Sequence, residues 1–180
     1  SCLCSIMATQ WEKTGLAWRY MPTDSEFRVI PYAHEWEQKW DAFIEGSRNA
    51  TFLLKRKFSE YHSDRFQDAS SLIFDAKGQL VALLPATRHG PVIRSHGGLS
   101  YGGLLMSPRL SQTDCLGIFD SLKSFYLELG IEKLNYKAIP TIFHAVPGQE
   151  DLYALFRQGA RLVRRDCSTA VALNYPRLSY

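Results

Sequence analysis

The chain has 180 residues and a mass of 20.5 kDa, room for one domain that buries roughly 70% of its unfolded surface without a disulfide framework. With 46% hydrophobic, 22% charged and 13% aromatic residues it is neither disordered nor a low-complexity linker. The formal charge of +3, from 21 Lys plus Arg against 18 Asp plus Glu, is too small to argue nucleic acid as a partner, and no apolar run reaches the about 18 residues of a membrane-spanning helix.

Cys2, Cys4, Cys115 and Cys167 lack the density and spacing of a secreted scaffold and read as reduced thiols, with cytoplasm as the default location. No partner pair at ligand spacing follows Cys2 and Cys4, so no metal site is expected. Met7 reads as a native start with residues 1–6 upstream of it. Residues 1–24 are set apart as a polar arm, and residues 25–180 as a single domain.

The first strand is expected over residues 27–31. Trp36, Trp40, Phe43 and Ile44 then share one helical face, predicting a helix over 34–45. A second helix is expected over 52–61, with Lys55, Arg56 and Lys57 as a solvated face. Residues 71–75 and 80–86 are β-type runs joined by Ala76-Lys77-Gly78-Gln79, which suits an antiparallel hairpin. The apolar run over 92–106 is interrupted by Gly97-Gly98 and Gly102-Gly103, which mark a bulge or a close approach of backbone to a ligand. Ser111 and Thr113 can cap a helix carrying Ile118, Leu122, Phe125 and Leu129 and stopped by Gly130. A strand over 132–139 ends at Pro140. A short helix opening on Glu150 and Asp151 ends at Gly159, and a last strand spans 161–174.

The order β-α-α-β-β-β-α-β-α-β describes an α/β (α+β) fold: a mixed, mostly antiparallel sheet flanked by helices on both faces. It resembles the GNAT acyltransferase superfamily. The stretches Glu60-Tyr61-His62-Ser63-Asp64-Arg65-Phe66, Ser95 to Gly103 and Glu150 to Ala160 resemble one half of the tandem GNAT domains of Fem-type aminoacyltransferases. The resemblance implies transfer of an acyl or aminoacyl group from acetyl-CoA or another acyl donor to an amine, across a split in the sheet. The acceptor would be a small molecule or peptide-like, and a homodimer or a second GNAT-like copy would replace the tandem partner. It also implies a diphosphate-binding loop before the long helix. Here that loop is Ser107-Pro108-Arg109-Leu110-Ser111-Gln112-Thr113-Asp114, without glycine and with an acid where the diphosphate would lie. The tyrosine that many members place four residues before the glycine closing the late helix is replaced by Leu155. A non-catalytic ligand-binding or dimerising module without a competent CoA site is therefore the alternative.

Candidate residues follow from both readings. Gly102, Gly103, Leu104 and Ser111 would contact the donor. Tyr61, His62, Arg65 and Asp68, in a loop rich in charge, with His96 and Tyr101 flanking the glycines, would contact the acceptor. His144, in the loop between Pro140 and Pro147, is the general-base candidate because its ordinary pKa lies near neutrality. Cys115 and Cys167 are expected in the core. Arg161, Arg164 and Arg165 form a basic cluster that supports a third, nucleic-acid reading by charge alone.

Overall fold

The structure is a computed structural model and describes residues 2–11, 27–62 and 65–169. The chain runs β1 (Cys2–Gln10), β2 (Arg28–Pro31), α1 (Glu37–Gly46), α2 (Arg56–Ser59), β3 (Gln67–Asp68), β4 (Ser71–Phe74), β5 (Leu80–Leu84), β6 (Thr87–His89) and β7 (Val92–Arg94). It continues through β8 (Leu105–Met106), α3 (Gln112–Glu128), β9 (Lys133–Lys137), α4 (Glu150–Arg157) and β10 (Arg161–Ser168). The expected hairpin is β4 and β5, paired antiparallel from Ser71 opposite Leu84 and closed by a turn in which the Asp75 carboxylate accepts from the Lys77 and Gln79 N–H groups.

Every residue of β4 is buried, because both of its faces are covered. Leu72 and Phe74 pack with Trp40, Ile44, Leu54 and Leu83 beneath α1. Ile73 points the other way, to Ala82, Leu84 and the α3 residues Cys115, Ile118, Phe119, Leu122 and Tyr126. The period of two along the strand thus feeds two cores. The expected cap of α3 forms as a reciprocal box: Ser111 Oγ accepts from Asp114 N–H, and the Asp114 carboxylate accepts from Ser111 N–H.

Three expectations are corrected. The helix expected over 52–61 is a 3-10 turn at Phe52–Leu54, the four residues of α2 and a further 3-10 turn at Glu60–His62. Trp40 Nε1 donates to Leu54 O and Arg56 N–H donates to Asp41, so tertiary partners take the groups a continuous helix would use. The run over 92–106 is two strands in two different sheets, β7 and β8. The segment set apart as an arm contains β1, a strand paired on both sides, to β9 and to β10. β10 has no other described strand beside it, so its backbone needs β1. Of the last strand, residues 161–168 are as expected, and 170–174 lie outside the described residues.

Two sheets result. One has the order β10-β1-β9-β7-β6-β3, with β7 and β9 parallel; the other has the order β2-β4-β5-β8. The chain passes from the first to the second between Arg94 and Leu105, so β8 and β9 diverge on either side of a split.

Candidate functional site

β8 and β9 lie in different sheets, and they form the walls of the split between them. β8 pairs with β5 on one side, Ala82 opposite Met106 and Leu83 opposite Leu105. Its other edge is met by the loop after α1. Asn49 acts as a fragment of strand: its Nδ2 donates to Leu104 O (2.8 Å) and its Oδ1 accepts from Met106 N–H (2.9 Å). Arg48 N–H donates to Met106 O (3.1 Å), and Arg48 O accepts from the N–H groups of Ala145 and Val146 (2.8 and 3.2 Å). Residues 48 and 49 therefore bridge β8 to the loop beyond β9, and both are buried.

From the β9 side, Tyr136 fills the remaining space. Leu104 N–H donates to its hydroxyl (2.6 Å), which in turn donates to Asp151 Oδ2 (2.5 Å) at the start of α4. Burial pushes the pKa values of both groups up, which keeps the tyrosine protonated as the donor. The Arg48 guanidinium lies 3.0 Å from Glu150 Oε2, close but off line for a hydrogen bond to that oxygen. It also donates to Leu110 O at the entrance to α3 (3.4 Å). Gln112 Nε2 donates to Glu150 O (3.1 Å), tying the start of α3 to that of α4.

Groups that the resemblance would offer an acyl donor are engaged within the chain: Asn49 occupies the outer edge of β8, the amide of Leu104 donates to Tyr136, and the amide of Asp114 donates to Ser111. Asp114 adds a negative charge at the helix entrance, and Pro108 has no N–H to offer.

The glycine segment packs against the chain itself. Gly102 N–H donates to Lys137 O (3.1 Å), and a Cβ there would collide with the Ser95 carbonyl. A Cβ on Gly97 would lie 2.7 Å from Thr87 Oγ1, and one on Gly98 3.0 Å from Phe66. Gly103 has a left-handed backbone, φ 66°, beside Tyr136. Close packing of the chain on itself, against the Ser95 backbone at Gly102 and against side chains at Gly97, Gly98 and Gly103, accounts for these glycines.

A second polar site lies between α2, β3 and β6. Arg56, expected on a solvated face, is 3% exposed, ion-paired to Asp68 and to Glu60, and stacked 3.6 Å over Tyr32. His96 faces it. Among the described residues it is the non-glycine with a left-handed backbone, φ 54°, and its Nδ1 is buried without a partner. Burial, with Arg56 and Lys137 nearby, lowers its pKa from 6.5 to about 4. These side chains, with Phe66 and Thr87, wall a cavity of about 30 Å³, room for about one water. A larger cavity of about 140 Å³ lies where Pro31, Asp68 and Arg88 meet Phe125, Tyr126 and Ile131.

Of the acceptor candidates, the structure brings Asp68 and His96 together. Tyr61 is 80% exposed and Arg65 is exposed; the His62 side chain lies outside the described residues. Tyr101 is buried, its hydroxyl 3.1 Å from Thr51 Oγ1 and its ring against Phe143. His144 Nε2 is 3.1 Å from Ile139 O. Leu104 is in the split and Ser111 caps α3. Cys115 is core, where burial pushes its thiol up. Cys167 is exposed on β10, contrary to expectation, because neither face of that strand is covered there. The residues that sequence reading missed are Arg48, Asn49, Tyr136 and Asp151; a loop asparagine and a strand tyrosine carry no spacing signal.

No family model matches the sequence, and no curated protein does. Among solved structures, a GCN5-related N-acetyltransferase from Sphaerobacter thermophilus is similar at a TM-score of 0.55 and 10% identity, over 91% of this chain and 49% of that one. L-PGS from Bacillus licheniformis follows at a TM-score of 0.49 and 11% identity, over 75% of this chain and 45% of that one. A GCN5-related N-acetyltransferase from Kribbella flavida gives 0.46 and 10%, over 90% and 56%. The chain spans about half the length of the solved structures it matches. It has the GNAT fold, as its order of elements implied; at this identity the likeness is one of fold.

Proposed function

We propose that this chain is a GNAT-fold unit that fills its acyl-donor groove with its own side chains and serves as a ligand-binding or pairing half rather than as a CoA-dependent transferase. The observation that carries this is Asn49, whose side-chain amide takes both the donor and the acceptor that β8 would offer a guest. Tyr136, on the opposite wall, takes the next amide. Transfer chemistry needs donor and acceptor held together in one cleft, and here the cleft is occupied by residues whose removal would leave buried polar groups unmet.

Two further observations support a pairing role. The chain matches half of a longer relative, as one half of a Fem-type tandem would. Phe52 and Phe58, in edge contact with each other, and Ile142, Phe143 and Val146 in the loop after β9 are exposed apolar side chains, and exposed apolar surface of that kind marks interaction surfaces. The partner in this reading is a second GNAT-like unit, on a separate chain or in the same one.

Calorimetry and thermal unfolding with millimolar acetyl-CoA test the reading. A ligand at a hundredfold excess over its Kd stabilises the native state by about 2.7 kcal/mol, so binding would raise the melting temperature by several degrees. No heat and no shift are expected. A shift together with acetylation of an amine would overturn the proposal and return Gly102, Gly103, Leu104 and Ser111 to the donor site, with His144 as base. Sedimentation then reads whether the chain pairs with itself.

A further inference from the structure

The register of the six-stranded sheet puts Gln67 of β3 opposite Arg88 of β6, and Arg88 opposite Ile93 of β7. Residues directly opposite one another share a face of the sheet, and Ile93 shows which face this is, because it belongs to the core beneath α3 with Tyr126 and Ile131. Towards the edge of the sheet the row turns polar while α3 still lies over it. A cavity of about 140 Å³ is left there, bounded by this row, by Pro31 and by Phe125, Tyr126, Leu129 and Ile131.

The walls are mostly apolar. Ile93, Tyr126 and Ile131 are each 1% exposed, and Phe125 meets Tyr126 edge to face with ring centres 5.2 Å apart. The Tyr126 hydroxyl is engaged elsewhere, with Ser71 Oγ and Ala69 O. Apolar space of about 150 Å³ is enough to hold a benzene ring, so the volume fits one six-membered ring.

Two charged groups border the cavity, and they differ in what they still need. Asp68 is ion-paired to Arg56 and accepts from Ser70 N–H (2.7 Å), so its charge is met. Arg88, half-buried, donates from Nε to Gly90 O (3.0 Å) and from Nη2 to Leu129 O (3.3 Å). Both partners are neutral carbonyls. Among the described residues Nη1 makes no hydrogen bond and Arg88 joins no ion pair. A guanidinium in that position favours an anion, and a carboxylate matches its geometry.

We propose that this cavity binds a small carboxylate built on one six-membered ring, with the ring among Phe125, Tyr126 and Ile131 and the carboxylate on the Arg88 guanidinium. A few polar groups set into an apolar hollow are the ordinary make-up of a small-molecule site. The inference goes beyond the reading of the split, which has other walls, and stands or falls without it.

Methyl NMR on the whole chain, labelled at its isoleucine methyls, tests the site with benzoate, benzyl alcohol, benzylamine and acetate. Benzoate is expected to bind with a Kd of about 1 mM or tighter. It should shift the methyls of Ile93 and Ile131 and leave Ile44, in the other core beneath α1, in place. Benzyl alcohol should bind about tenfold more weakly, and benzylamine and acetate more weakly still. Arg88→Gln is expected to lose about tenfold for benzoate and to hold benzyl alcohol within about twofold, which also shows that the variant is folded. Arg88→Lys keeps the charge and should keep benzoate ahead of benzyl alcohol. Benzoate binding undiminished in Arg88→Gln would overturn the proposal. So would a preference for benzylamine, shifts that pass over Ile93 and Ile131, or no benzoate binding up to roughly 10 mM.

Discussion

The split between β8 and β9 and the outer edge of β10, beside which no other described strand lies, are both places where a sheet stops, and they stop in opposite ways. At the split, the outer edge of β8 is completed by the Asn49 amide and the Arg48 backbone, and Tyr136 and Asp151 satisfy what is left. At β10, among the described residues, no strand pairs with the outer edge, and the side chains from 161 to 167 are exposed. A strand end that the chain finishes for itself is part of the folded core. One left unfinished is where a partner adds least desolvation cost. In this molecule the split is of the first kind.

Substitutions sharpen that contrast. The largest effect is expected beside the split at Gly102→Val, because a Cβ there meets the Ser95 carbonyl. Overpacking at a site where backbone must shift costs about 3 kcal/mol or more, so urea unfolding should show a much lower midpoint or no folded protein. A Gly102→Val chain of wild-type stability would mean that the loop is open to a guest after all.

Next comes Asn49→Ala. It leaves Leu104 O and Met106 N–H buried and unmet, at about 1–3 kcal/mol each, so a loss of roughly 2–6 kcal/mol in denaturant unfolding is expected. If the variant instead lost little stability and gained affinity for acetyl-CoA, Asn49 would be a removable plug in a working groove.

A smaller, pH-dependent effect belongs to His96. Its folded pKa, about 4, lies below the ordinary 6.5, so the unfolded chain binds the extra proton in that window. Stability should fall as pH drops from about 6.5 to about 4, by at most about 1.4 kcal/mol per pH unit for one proton. His96→Asn keeps a side chain that tolerates the left-handed backbone and should flatten this slope in urea titrations across the window. Asp151 works in the other direction: burial raises its pKa, so its contribution diminishes as pH climbs above the usual carboxylate range. A His96→Asn slope equal to wild type would show that the imidazole is solvated.

The smallest effect is expected on β10. Val163→Thr touches no covered face and should change the unfolding free energy by no more than about 0.5 kcal/mol. A loss of several times that would place β10 under a covering layer and remove the contrast.

Much of the fold was legible in residue patterns. Trp40 and Ile44 lie at helical spacing and pack under α1, the Ser71–Phe74 and Leu80–Leu84 runs pair as a hairpin, and Ser111 with Asp114 caps the long helix. These signals are local, so they survive without tertiary information. β1 was not legible, because an apolar stretch near a chain end is a strand only when β9 and β10 bracket it. Arg56 read as surface because it sits between two lysines. Asp68 and Glu60, which bury it, arrive from further along the chain. The glycine pairs announced close approach correctly and left open what approaches; it is Ser95, Thr87 and Phe66 rather than a guest.

By itself the sequence determined the β4–β5 hairpin, the faces of α1 and α3 and the cap of α3, and the GNAT fold was legible as a resemblance of the order of elements. The hairpin, the faces and the cap depend on spacing within a few residues. Whether the split was open and where Arg56 and Asp151 were buried were decided by the tertiary structure. Each is a matter of which distant backbone group finds a partner, and a buried N–H or C=O takes its partner from whatever the fold brings within about 3 Å.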